Sequence, residues 1–360
     1  MRKNIDIVLL VAVITISIFG VLMIYSSSSI WAEYKFNDPF RYLKMQSIFL
    51  IIGIILMFII TKIPYTYYKD KANIILLVCF LLLILVLIPG IGKIRNGSRS
   101  WFGIGSLGIQ PSEFMKLGLI IFISKYLSNN EKYIKNIKGV LPIIFITLLV
   151  FFLIMLQPDF GTGVIIVMTI IGLLFIAGLN IKFFIISGIF GVIGAIILIL
   201  IAPYRFQRIL SFINPWLDPL GSGFQAIQSL FAIGPGGFLG LGIGNSIQKH
   251  FYLPEPQTDF IFAIISEELG FLAVIIVSIL FITIIYRGIK ISLSSKDLFA
   301  KYLSFGIIFC FSFQTLLNLM VVVSLIPITG VTLPFLSYGG SSLIITLISM
   351  GILLNISRYT

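Results

Sequence analysis

At least nine stretches of this chain run without a break in apolar character for long enough to cross a lipid bilayer, and no other feature restricts its fold as much. A membrane-spanning helix takes about 20 apolar residues. Inside hydrocarbon every backbone amide must be paired within the protein, so only helices and closed barrels can cross. The apolar residues here are continuous rather than alternating, which excludes a barrel. The expectation is an all-α, polytopic membrane protein. Only 11% of the residues are charged, against about 25% in a soluble domain.

The pattern predicts helices at about residues 6–26, 43–61, 74–90, 111–128, 139–156, 163–179, 182–202, 260–286, 301–326 and 340–357. About ten spans place both termini on one side. They read as a single transmembrane domain over 1–360 with one large loop, 203–259, between the seventh and eighth helices. Loops beyond about 15 residues are usually functional. The first apolar segment follows Arg2 and Lys3 but lacks a small-residue cleavage site, so it reads as a retained helix. Cys79 and Cys310 lie inside apolar runs and read as small core residues.

Most of the net charge of +12 collects in the connections on the side of the termini. By the positive-inside rule that side is cytoplasmic. The loops at 91–110, 157–162, 203–259 and 327–339 then lie outside, which makes the outer face the expected place of chemistry. Topology accounts for the charge, and no nucleic-acid partner is needed to explain it.

The long loop is too rich in glycine, proline and polar residues to span a membrane, and too aromatic for a flexible linker. It should form short interfacial helices and ordered turns. Its run of Gly234, Gly236, Gly237, Gly240, Gly242 and Gly244 fits neither nucleotide-loop spacing. It reads as close backbone packing or as an amide nest for an anion.

Asp259 stands directly before the eighth helix. It could be an N-cap, with Thr258 as a rival, or a general base on a sugar hydroxyl if burial raises its pKa. On an ideal helix Glu267 lies about 80° around from Asp259 and Glu268 about 180°, both roughly 12–14 Å deeper. Acids at that depth should face the bundle interior. Glu267 could line the same cavity as Asp259 or be a paired structural acid. Glu113 and Lys116 are spaced i,i+3, so they could pair, or Lys116 could meet a phosphate. Arg205 and Arg208 open the long loop and could grip a diphosphate; Lys249 is a further candidate for substrate. His250, the single histidine, cannot form a metal site or a triad alone.

Several motifs together resemble the SEDS family of bacterial cell-wall glycan polymerases, the FtsW, RodA and SpoVE proteins. They are Asp218-Pro219-Leu220-Gly221-Ser222-Gly223-Phe224-Gln225, the run from Ala232 to Gly237, and Gln248-Lys249 through Tyr252-Leu253-Pro254-Glu255 to Thr258-Asp259-Phe260. Glu267-Glu268-Leu269-Gly270, Asn96 to Trp101, Gln110 to Glu113, Gln157 to Thr162 and Pro334 to Ser342 agree as well. Pro235 stands where the family pattern suggests serine. The Gln248–Glu255 segment is closer to the division and sporulation branches than to the elongation branch.

The resemblance implies a glycosyltransferase that polymerises lipid II, the lipid-linked disaccharide-peptide precursor, into peptidoglycan at the outer face of the cytoplasmic membrane. It implies Asp259 as the essential carboxylate and a class B penicillin-binding protein, a transpeptidase, as partner. A divalent cation could stabilise the leaving diphosphate, although no ligand cluster stands out in the sequence. The rival reading is a transporter that flips lipid II, and a third is a scaffold that recruits the transpeptidase.

Overall fold

The computed structural model describes residues 4–95, 97–104, 107–131, 137–201 and 203–360; Asn96 and the side chain of Arg205 fall outside the described part. Twelve α-helices follow in order: α1 Ile7–Phe36, α2 Arg41–Lys62, α3 Tyr65–Leu87, α4 Pro111–Asn129, α5 Ile137–Met155, α6 Phe160–Ile176, α7 Ile181–Ile201, α8 Pro203–Ile213, α9 Phe224–Ile233, α10 Ile261–Ser294, α11 Leu298–Val322 and α12 Gly340–Ile356. Eight of them are long and apolar enough to cross a membrane, and α6 is a shorter apolar helix. The ten segments expected from the sequence each fall on one of these helices; α8 and α9 lie within the long loop. The chain is a polytopic membrane protein.

Local chemistry explains where the helix ends depart from expectation. α1 runs about ten residues past the predicted end at 26. Its serines do not stop it, because Ser27 and Ser28 turn their hydroxyls back onto the carbonyl of Ile24. It ends where Asn37 takes the left-handed conformation, φ 53°. α3 starts at Tyr65, earlier than the predicted 74, after Pro64 sets an extended backbone. Its first amide donates to Asn355 Oδ1 at 2.9 Å.

The fold is helical as expected, with one small sheet added to it. The loop after α3 is a small antiparallel sheet of β1 Lys93–Arg95, β2 Ser98–Ile104 and β3 Leu107–Ile109. The alternating Ser-Arg-Ser-Trp pattern of β2 is too short to stand out beside the apolar helices. The guanidinium of Arg95 covers the Trp101 ring at 5.1 Å, closing one edge.

The core is built where α2 packs on α12, α3 on α4, and α10 between α1 and α11, with α11 also meeting α4 and α6. α7 stands apart. None of its described side chains is buried, which suits a helix surrounded by lipid and fits its predominance of Ile, Phe and Leu. Cys79 and Cys310 are buried and free, as small core residues.

Candidate active site

The site is assembled by a break in α10. Gly270 interrupts this helix with φ 68°, a conformation glycine adopts without strain. The break releases carbonyls and amides that a continuous helix would pair internally. The glycine run of the long loop takes them up. Leu241 and Gly242 donate to the carbonyls of Glu267 and Glu268 at 3.0 and 2.9 Å, while Phe271 and Leu272 donate to Gly237 and Phe238 at 2.9 and 3.2 Å. A Cβ at Gly240 would lie 2.2 Å from the Glu268 carbonyl oxygen, and one at Gly270 would lie 2.3 Å from the Gly240 nitrogen. The run therefore serves close backbone packing, one of the two readings open from the sequence.

Beyond this contact the loop is pinned by the two buried acids. Glu267 accepts from the Ser246 hydroxyl and, at 2.8 Å, from the Ile247 amide. Glu268 accepts from the Ser26 hydroxyl of α1 and pairs with Lys249 Nζ at 3.0 Å. Neither acid has any exposed surface and Lys249 has little. Lys249 and Glu267, both considered for substrate, are thus committed to holding the loop inside the bundle; Glu267 takes the structural one of its two roles.

From this anchor the chain climbs to Asp259. Its carbonyl accepts from Asn318 Nδ2 at 2.8 Å, and the same amide group bonds Val331 at 2.7 Å, tying Asp259 to the end of α11 and to the segment before α12. Ser337 donates to the Thr258 carbonyl at 2.7 Å, and Tyr338 to that of Gln257 at 2.8 Å. The cap reading is corrected here. The N-cap of α10 is Phe260 and no side chain caps it; Thr258 turns its hydroxyl to Glu255 instead. The Asp259 carboxylate is left for other work, half-buried beside Gly330.

Burial pushes the Asp259 carboxyl up to about 6; the nearby charges of Glu255 and Asp159 push the same way, and the Arg208 guanidinium opposes them. Arg208 projects from α8 and donates Nη1 to the Ile328 carbonyl at 3.0 Å. Arg205 lies on the same helix.

Asp159 received no role from the sequence. It caps α6, accepting from the Thr162 amide at 3.2 Å, and it accepts from Gln110 Nε2 at 3.0 Å. Burial raises its carboxyl as well. A single Asp before an apolar helix looks like any other cap, so only the fold reveals that its charge reaches Asp259.

Glu113 and Lys116 do pair, at 2.9 Å, with both side chains buried. Lys116 also donates to Gln314 Oε1 at 2.7 Å, and Gln314 Nε2 reaches the Thr332 carbonyl at 3.0 Å. The pair lines a small cavity together with Cys310 and Ser349. It connects the interior of the bundle to the segment that supports Asp259. Among the described residues no group of three His, Cys, Asp or Glu side chains is placed to hold a metal ion.

The geometry therefore offers one carboxylate poised to gain or lose a proton near neutrality, a cation within its field, and a rigid support from three parts of the chain. The chain is similar to known proteins along nearly its whole length. Over 356 residues the chain is 50% identical to stage V sporulation protein E of Bacillus subtilis, covering 99% of this chain and 97% of that protein. It is 39% identical to the probable peptidoglycan glycosyltransferase FtsW of Geobacter sulfurreducens, covering 98% and 95%. Among solved structures, a chain of a peptidoglycan synthase complex that coordinates polymerization and crosslinking matches with a TM-score of 0.81 at 31% identity, covering 99% of both chains. The rod shape determining protein RodA of Thermus thermophilus matches with a TM-score of 0.73 at 28% identity, covering 99% and 98%. Residues 6–360 match the family described as FtsW, RodA and SpoVE cell cycle proteins, and the chain belongs to that family.

Proposed function

We propose that this protein is a peptidoglycan glycosyltransferase that polymerises lipid II at the outer face of the cytoplasmic membrane, with both termini in the cytoplasm, during division or sporulation. The observation that carries the reading is Asp259: a half-buried carboxyl raised to about 6, capping no helix, with the charge of Arg208 acting on it. The likeness to a sporulation protein and to FtsW supports the branch.

In this mechanism ionised Asp259 takes the proton from the 4-hydroxyl of the acceptor lipid II. The oxygen attacks the anomeric carbon of the donor glycan, whose bond to the lipid diphosphate breaks. A base whose pKa lies near the working pH combines a useful ionised fraction with real proton affinity. The departing diphosphate needs a cation to receive its charge, and Arg208 and Arg205, both in the α8 sequence, would supply it. Asp159 adds negative charge that keeps Asp259 basic. The buried pairs Glu113–Lys116 and Glu268–Lys249 hold the walls of the site. A class B penicillin-binding protein would cross-link the strand as it emerges.

The test is to incubate purified protein with lipid II, alone and with its cognate transpeptidase, and to resolve the products on a gel. Glycan ladders are expected. No ladder in either case, together with movement of lipid II across vesicles, would replace polymerisation by transport.

A further inference from the structure

Three consecutive carbonyls lead up to the Asp259 side chain, and each accepts from a donor elsewhere in the chain. The Tyr338 amide holds Gln257 at 2.8 Å, the Ser337 hydroxyl holds Thr258 at 2.7 Å, and Asn318 Nδ2 holds Asp259 itself at 2.8 Å. Asn318 then gives its second hydrogen to the Val331 carbonyl at 2.7 Å. Val331 follows Gly330, the residue beside which the Asp259 carboxylate lies; a Cβ at Gly330 would stand 3.8 Å from Oδ2. One nitrogen therefore grips both the backbone that carries the carboxylate and the segment that the carboxylate faces.

Stability alone does not account for an asparagine here. Asn318 lies within α11 and is fully buried, and its Oδ1 has no hydrogen-bond partner. A buried acceptor left unpaired is destabilising, and such groups call for an explanation. The amide cannot turn over to relieve it, since an oxygen would then face two carbonyls. Two hydrogens on one uncharged nitrogen are what the place demands, and among side chains only Asn and Gln offer them. Gln314, one turn earlier on α11, acts on the same segment, its Nε2 donating to the Thr332 carbonyl at 3.0 Å. Of the two amides, Asn318 also holds the backbone of Asp259.

We propose that Asn318 is a positioning residue for the reaction, its amide fixing the gap between the Asp259 carboxylate and the Gly330 segment. The inference rests on the polymerase reading, in which Asp259 takes a proton from the acceptor hydroxyl. Without the amide the two backbones part and water reaches the carboxylate. Burial is the largest influence on that carboxyl, ahead of the charges of Glu255, Arg208 and Asp159. Loosening the gap therefore lowers it from about 6 toward the ordinary range and spoils its aim at once.

Asn318→Leu removes both donors at nearly constant volume. Asn318→Ser keeps a hydroxyl and leaves room for a water between the two carbonyls, a looser link that preserves folding; melting temperatures in detergent check both. With lipid II and the cognate transpeptidase, each folded variant should lose about tenfold to a hundredfold in kcat. KM should stay within about twofold of wild type, and the acid limb of the pH–rate profile should move down by about one unit. A hydrophobic carbodiimide, which reacts with protonated carboxyls, reads the same group without turnover. Its labelling of Asp259, mapped by mass spectrometry over a pH series, should shift its midpoint down with the limb. Wild-type kcat in either folded variant, or a loss of kcat with limb and midpoint both unmoved, would overturn the positioning role. Should wild type make no glycan while the labelling midpoint still moves in the variants, the polymerase reading fails and the hold on Asp259 stands. Should wild type polymerise while neither limb nor midpoint moves, the positioning role alone fails.

Discussion

Asp259 is useful because its surroundings deny it the ordinary fate of an acid at a helix start. Its charge is desolvated, pushed by Glu255 and Asp159, and only partly relieved by Arg208. The ionised form is the base, so polymerisation should fall as pH drops through about 6, where the proton occupies the carboxyl. A rate-against-pH series on lipid II reads this directly, and a flat profile from pH 5 to 8 would remove Asp259 as the titrating base. The same desolvation predicts that Asp259→Asn melts no lower than wild type, since a desolvated charge is removed. Thermal unfolding in detergent measures it. The sequence made Asp259 a candidate through its motif and its position. That it is not the cap was beyond reach, since Thr258 and Asp259 both favour caps and the helix begins one residue later.

At the scale of elements, the break in α10 and the glycine run are two halves of one joint. Gly240 and Gly270 have φ of 80° and 68°, and a methyl group on either would meet backbone. Gly240→Ala or Gly270→Ala should cost about 3 kcal/mol or more, seen as a lower melting temperature and reduced yield of folded protein. The Lys249–Glu268 pair is the second fastening. Lys249→Met or Glu268→Gln alone strands a buried partner and should cost about 3–5 kcal/mol. The double variant should lose less than the sum, which a double-mutant cycle in thermal unfolding would show. Close packing by the glycines was readable from their density. Their partner was not, because Gly270 sits in an apolar run that continues as helix on both sides. Lys249 read as a substrate candidate because its acid, Glu268, lies 19 residues away, across the loop and down the next helix.

For the whole molecule, continuous apolar stretches were enough to locate the long helices among the described residues, since lipid imposes one requirement on all of them. Loops obey no such single rule, which is why the sheet at 93–109 and the inward turn of the loop tail emerged only in three dimensions. The proposed orientation is open to thiol labelling. Leu220, 88% exposed in the long loop, should as Leu220→Cys react with a membrane-impermeant reagent on intact cells stripped of any outer barrier. Ser295→Cys, between α10 and α11, should react only after the membrane is opened. The buried native cysteines should stay silent. The most direct test of the central claim is lipid II polymerisation by wild type and Asp259→Asn, each with the cognate transpeptidase and each confirmed as folded. The account predicts glycan ladders from wild type and none from the variant at any pH. Ladders of wild-type length and rate from Asp259→Asn would contradict it.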